Sequence, residues 1–170
     1  TIFMDAGSTT TIMAEVLAGP TGLTDLTVVT NSLEAAVRLA QAPGALDSGI
    51  RVQLLRGPVK RDPLETWGGA TVADIYSYHA DVAFLSPMAV DATFGAMYHY
   101  FHGAEIVEAM ARQSTSVAIL ADHAKIGVTS RICVRPPGEI DYLVVDAKAR
   151  ARPGFAALES AVKQLIVAEG

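Results

Sequence analysis

Cysteine is almost missing from this chain: Cys133 is the only one in 170 residues. That excludes an internal disulfide and a multi-cysteine zinc site, and it fits a reducing, cytoplasmic setting. No secretory leader is visible. The longest apolar runs are strand-sized, well short of the ~20 residues a membrane helix needs, so no membrane partner is expected. There is no run of Lys or Arg with interleaved aromatics and the net charge is −5, so this segment is not expected to grip nucleic acid itself. Internal repeats, low-complexity tracts and interior linkers are also absent. What remains is 51% hydrophobic and 18% charged, enough for one substantial core and a single domain over 1–170. The chain opens on Thr rather than Met and enters an apolar run at once, which reads as a fragment of a longer protein.

The most informative stretch is Asp5-Ala6-Gly7-Ser8-Thr9-Thr10. Ile2-Phe3-Met4 before it suits a strand buried on both faces. From Thr10 to Leu17 the spacing turns helical, with Ile12, Met13, Val16 and Leu17 predicted on one face. Gly7 lets backbone approach a ligand, and the first turn of the helix leaves unpaired N–H groups backed by the positive end of the dipole. Ser8, Thr9 and Thr10 add neutral donors, so the corner suits a phosphate. The competing reading is that Ser8 only caps the helix.

Strand and helix patterns then alternate, which predicts an α/β fold: an open, mostly parallel sheet with helices on both faces. Leu26-Thr27-Val28-Val29 runs into a second polar corner, Thr30-Asn31-Ser32, where Asn31 and Glu34 resemble a capping box and Leu33, Ala36, Val37 and Ala40 share a helical face. In such sheets ligands collect at strand carboxyl ends, so the two corners reinforce each other. Residues 43–48 read as a loop, Val52 to Leu55 as a strand, Arg56 as a strand-end cation that is either solvated or meets an anion, and Lys60 to Pro63 as an exposed turn. Trp67-Gly68-Gly69 opens a helix, its glycines implying close approach of a ligand or a strand. After the strand Val82–Leu85, a long connection from Ser86 to Phe101 is read as structureless and functional, its Met88, Tyr98, His99, Tyr100 and His102 lining a pocket or an oligomer interface. The histidines lack a completing ligand spacing, so no metal is expected, nor any cofactor. A late strand, Val117–Leu120, delivers Asp122, His123 and Lys125 to the same sheet edge as the first corner. Lys125 there can neutralise a phosphate and Asp122 can orient hydroxyls, or the two form a surface ion pair.

The ordered series Asp5-Ala-Gly-Ser-Thr-Thr, Val29-Thr-Asn-Ser32, Leu55-Arg-Gly57, Ala80-Asp-Val-Ala-Phe-Leu85, Leu120-Ala-Asp-His-Ala-Lys-Ile-Gly127 and Ile140-Asp-Tyr-Leu-Val-Val-Asp146 resembles the effector-binding domain of DeoR-family bacterial transcriptional regulators, over essentially the whole chain. The resemblance implies a Rossmann-like sensor related to ribose-5-phosphate isomerase and glucosamine-6-phosphate deaminase. It also implies an N-terminal winged helix-turn-helix that carries operator DNA binding, and a homo-oligomer. It puts the phosphate at Gly7, Ser8, Thr9 and Thr10 with Asp5 shaping the loop, the second corner at Thr30 and Asn31, and a lysine at Lys125. The sequence departs from the family pattern at Ser86-Pro87-Met88-Ala89, at Tyr98-His99-Tyr100 with Gly103-Ala104 and Val107, and at His123, where a serine is usual. The expected effector is therefore anionic but different at its distal end. An isomerase- or deaminase-like enzyme, with acid and base drawn from Asp5, Glu105, Asp122 or His123, and an oligomerisation module with a vestigial pocket are the alternatives.

Overall fold

The apolar runs pair side by side into one parallel sheet. The structure, a computed structural model, describes residues 1–42 and 49–169, so the loop read at 43–48 lies outside the described residues. In chain order the elements are β1 (Ile2–Met4), α1 (Ser8–Leu17), β2 (Leu26–Thr30), α2 (Leu33–Ala40), β3 (Ile50–Leu54), β4 (Val59–Arg61), β5 (Leu64–Thr66), α3 (Gly69–Ile75), β6 (Ala80–Leu85), β7 (Ala89–Asp91), β8 (Gly95–Tyr98), α4 (Phe101–Arg112), β9 (Ser114–Ala121), β10 (Ile132–Arg135), β11 (Tyr142–Asp146), α5 (Phe155–Ala161) and β12 (Leu165–Ala168).

Seven strands make the sheet, in the order β12-β11-β9-β6-β1-β2-β3, and all neighbours run parallel. Parallel strands covered on both faces need apolar side chains on both, which is why β1 is apolar at every position. Ile2, Met4 and Val28 pack under Ala14 and Leu17 of α1 and Ala35 and Leu39 of α2. Phe3 and Val29 face the opposite layer, with Ile75 of α3 and Ile106, Val107 and Met110 of α4. The chain leaves β1 toward β2 and β3, whereas it leaves β6 toward β9 and β11 on the other side. The carboxyl ends of β1 and β6 therefore flank the point where successive connections diverge, which opens a crevice there.

Helix faces depart in part from the periodicity reading: Leu17 of α1 is buried and Met13 packs against the core as expected, but other positions do not. Ile12 and Val16 of α1 are 59% and 64% exposed, and Val37 and Ala40 of α2 are exposed as well. The sheet instead takes the small side chains Ala14 and Ala35 flanked by Leu17 and Leu39, because α1 packs against α2 as well as the sheet and the short residues permit close approach. The long connection after β6 is not structureless: β7 and β8 form an antiparallel hairpin that β10 extends to three strands. Gly95 makes that sheet possible, since φ is +76° and a Cβ there would fall 1.9 Å from the Arg135 carbonyl oxygen. Lys60 to Pro63 sits at the tip of a second hairpin, β4 with β5.

Candidate functional site

A pocket of about 690 Å³ occupies the crevice. Asp5, Gly7 and Ser8 line it from the β1 end, Asn31 from the β2 end, Ser86 from the β6 end and Lys125 from beyond β9. The β4–β5 hairpin supplies Lys60, Asp62 and Glu65, and Trp67, Met88, Tyr98, His99, Tyr100 and His102 complete an aromatic wall. A shallower depression of about 500 Å³ on the β2–β3 edge has, among the described residues, Arg51 as its one charged residue, already paired with Asp25.

Gly7 is the N-cap of α1, so Ser8 is the first helical residue and not its cap. A Cβ on Gly7 would sit 2.8 Å from Ser86 Cβ, which is why this corner needs glycine although its backbone is extended. The Thr10 hydroxyl is buried, accepts from the Gly7 N–H at 3.0 Å and lies 2.8 Å from the Asp5 carbonyl and 2.9 Å from that of Gly7. It shapes the corner from behind. Ser8 lines the pocket and is exposed, whereas Thr9 and Thr10 do not line it.

Asp5 is the hub. Its Oδ2 accepts from the Ser86 N–H at 2.9 Å and the Tyr98 hydroxyl at 3.0 Å, while Oδ1 is buried without a hydrogen-bond partner. Burial raises its carboxyl to about 6, against the lowering pull of the Ser86 and Tyr98 bonds, the charge of Lys125 and the Thr10 hydroxyl behind it. Burial, with the charge of Asp5 added, pushes the Tyr98 hydroxyl well above its usual range, so it remains a donor. Lys125 Nζ donates to Ser86 Oγ at 3.2 Å, which aims the ammonium at the corner.

At the second corner the cap is Ser32, whose hydroxyl accepts from Ala35 N–H, and not Asn31. The Asn31 Nδ2 group donates to Glu65 Oε2 at 3.1 Å and to the Thr66 carbonyl at 3.3 Å, pinning the β4–β5 hairpin onto the end of β2. Burial raises the Glu65 carboxyl, and Lys60 at 3.4 Å offsets this in part. Thr30 is buried and its hydroxyl accepts from Ser32 N–H, so it does not line the pocket.

Asp122 and His123 also lie outside the lining. Asp122 caps a short 3-10 turn through Ala124 N–H, and His123 is turned to Asp146, its Nδ1 3.0 Å from Oδ2. The ion pair between Asp122 and Lys125 does not form, because Lys125 reaches Ser86 instead. Arg56 is neither solvated alone nor at the pocket: its backbone N–H and guanidinium both bond the buried Asp74 of α3. Gly68 and Gly69 have open space where a Cβ would sit, so neither marks a close approach, and Gly68 is needed for its φ of +86°.

Among the pocket-lining residues missed by sequence reasoning are Ser86, Lys60, Asp62, Glu65 and Trp67. Ser86 had a signal, since it follows a buried strand at the carboxyl edge. Glu65 had none, because its tie to Asn31 spans 34 residues. Among the described residues no group of three or more His, Cys, Asp or Glu is placed to hold a metal, and no helix is long and apolar enough to cross a membrane.

Among known families, the one described as the DeoR C terminal sensor domain matches residues 1–147. The chain belongs to that family. This sensor domain is 29% identical over 145 residues to the HTH-type transcriptional repressor GlcR of Bacillus subtilis, covering 85% of the chain and 52% of the relative. It is 30% identical over 148 residues to the HTH-type transcriptional regulator GolR of Listeria innocua, covering 87% of the chain and 55% of the relative. It thus spans about half the length of the curated relatives it matches.

Proposed function

We propose that this DeoR-type sensor domain binds a phosphorylated sugar or a related small anionic metabolite, and that binding controls operator occupancy by a longer regulator, most simply a repressor, through an N-terminal winged helix-turn-helix. The observation that carries the reading is the meeting of the α1 N-terminus with Lys125, whose ammonium is held by the neutral Ser86 hydroxyl beside Gly7 and Ser8. Free helix N–H groups plus a lysine make an anion site. A ligand shifts the regulator only by binding its two states unequally. The thermal-shift response to phosphorylated sugars and their unphosphorylated counterparts tests this. A shift confined to the phosphorylated set and lost in Lys125→Met supports it, and equal shifts with both sets refute it.

Homo-oligomerisation belongs to the same reading, supported by the exposed Ile12 and Val16 on α1. Light scattering should give a dimer or larger assembly, and Ile12→Lys with Val16→Lys should shift it toward monomer. A monomeric wild type would count against it.

One observation favours a second reading. A buried pocket carboxyl titrating at about 6 is poised for proton transfer, as in a sugar-phosphate isomerase or deaminase. Incubation with ribose 5-phosphate or glucosamine 6-phosphate, read for product in wild type and Asp5→Asn, separates an enzyme from a sensor.

A further inference from the structure

Two side-chain oxygens on residues that line the pocket have no donor, and they stand at neighbouring strand ends. Met4 of β1 is in register with Thr30 of β2, so the residues that follow, Asp5 and Asn31, leave neighbouring strands side by side. Both are almost fully buried, both line the pocket, and both carry an oxygen with no hydrogen-bond partner, Oδ1 in each case. The orientation of the Asn31 amide is fixed by its partners: Nδ2 faces two acceptors, Glu65 Oε2 and the Thr66 carbonyl, so the opposite atom is an oxygen and cannot be exchanged for a donor. Leaving a buried acceptor unpaired is costly, so two of them at adjacent strand ends mark this part of the pocket as suited to a donor.

Charge points the same way. Asp5, Asp62 and Glu65 line the pocket against Lys60 and Lys125. A phosphate at the corner engages Lys125, which leaves the Asn31 side with Lys60 as the cation facing those carboxylates, and Lys60 Nζ is 3.4 Å from Glu65. A ligand hydroxyl brings one proton to this wall. An ammonium brings three donors and a positive charge, which matches the acceptors Asp5 Oδ1, Asn31 Oδ1 and the Glu65 carboxylate.

We infer that the effector carries a primary amine, read by Asp5, Asn31 and Glu65, so that the ligand class is an amino-sugar phosphate or a comparable phosphorylated amine. This rests on the phosphate reading above and adds the identity of the second group. Calorimetric titration with glucosamine 6-phosphate, galactosamine 6-phosphate and mannosamine 6-phosphate, each beside its hydroxyl and N-acetyl counterparts, tests it. At least one amine should bind about tenfold or more tighter than both counterparts, the worth of a charged hydrogen bond. Glu65→Gln, which keeps the shape and removes the charge, should reduce that preference to within about threefold.

If phosphorylated sugars bind with no preference for an amine, this inference is overturned and the phosphate reading stands. If no phosphorylated compound binds, both fall. Because the wild-type comparison decides between these outcomes, the result does not depend on the Glu65 variant folding.

Discussion

Replacing Asp5 by Asn should change how stability depends on pH. Asp5 is buried, and its carboxyl titrates at about 6 in the folded chain against 3.8 for an ordinary aspartate. Between those values the folded chain holds a proton that the unfolded chain has released. Asp5 therefore adds stability that is fully present below about pH 4 and is lost as the pH rises through about 6. Roughly two units at about 1.4 kcal/mol each give about 3 kcal/mol. Asn is neutral throughout, so the stability of Asp5→Asn minus that of wild type should rise by about 3 kcal/mol between about pH 4 and pH 7, whatever its starting value. Urea unfolding of the ligand-free protein, followed by the fluorescence of its single tryptophan, Trp67, measures this. Parallel stability curves for the two proteins would show that Asp5 titrates as an exposed group. A difference of opposite sign would mean that Lys125 holds the carboxylate ionised, and the burial argument would fail.

Other substitutions probe the remaining parts of the site. Gly7→Val places a Cβ against Ser86 and should cost about 1–3 kcal/mol by overpacking, seen as a lower melting temperature together with loss of phosphate-ligand binding. Lys125→Met should weaken a phosphorylated ligand about tenfold or more in calorimetry with little change in melting temperature, since its ammonium meets one neutral hydroxyl. Asp74→Ala removes the shared acceptor of the Arg56 backbone and guanidinium and should cost about 1–3 kcal/mol in urea unfolding. Tyr98→Phe strips one of two donors from Asp5, so the pH at which the difference between wild type and Asp5→Asn develops should move upward when both are built on that background.

Much of the sheet was legible because parallel strands covered on both faces are apolar at nearly every position. Ile2-Phe3-Met4, Val82–Leu85 and Val117–Leu120 stand out for that reason, and their order placed the polar corners at one edge. The helix faces were legible only in part: Leu17 of α1 is buried as its spacing predicts, whereas Ile12 and Val16 are not. In α1, Ile12 and Val16 outrank Ala14 in hydrophobicity, yet the sheet and α2 leave room for alanine, and that spacing is a tertiary fact. The β7–β8 hairpin hid for a related reason: Ala89–Asp91 and Gly95–Tyr98 are too short to show alternation, and what holds them together is Gly95 passing under Arg135, 40 residues later. Within the site, Gly7, Ser8 and Lys125 could be found because each follows a buried strand. Thr9, Thr10, Thr30, Asp122 and His123 share that position but lie outside the pocket, since a strand end fixes where a residue is and not which way its side chain turns.

Direction is set by the contacts of one carboxylate. Asp5 takes the Ser86 N–H from the end of β6 and the Tyr98 hydroxyl from the end of β8, so it joins the sheet edge to the antiparallel hairpin. Tyr98 is followed at once by His99 and Tyr100, which line the same pocket, and then by α4. Ser86, fixed through its backbone by Asp5, in turn positions Lys125 through its hydroxyl. The glycine corner at the start of α1 and the aromatic wall thus share a buried anchor whose second oxygen is unpaired. A ligand donor on that oxygen would favour the ionised carboxylate and strengthen its hold on both Ser86 and Tyr98, because hydrogen bonds to a charged acceptor are the stronger kind. Such a donor would act on the β7–β8 hairpin through a single side chain, because the same carboxylate holds Tyr98.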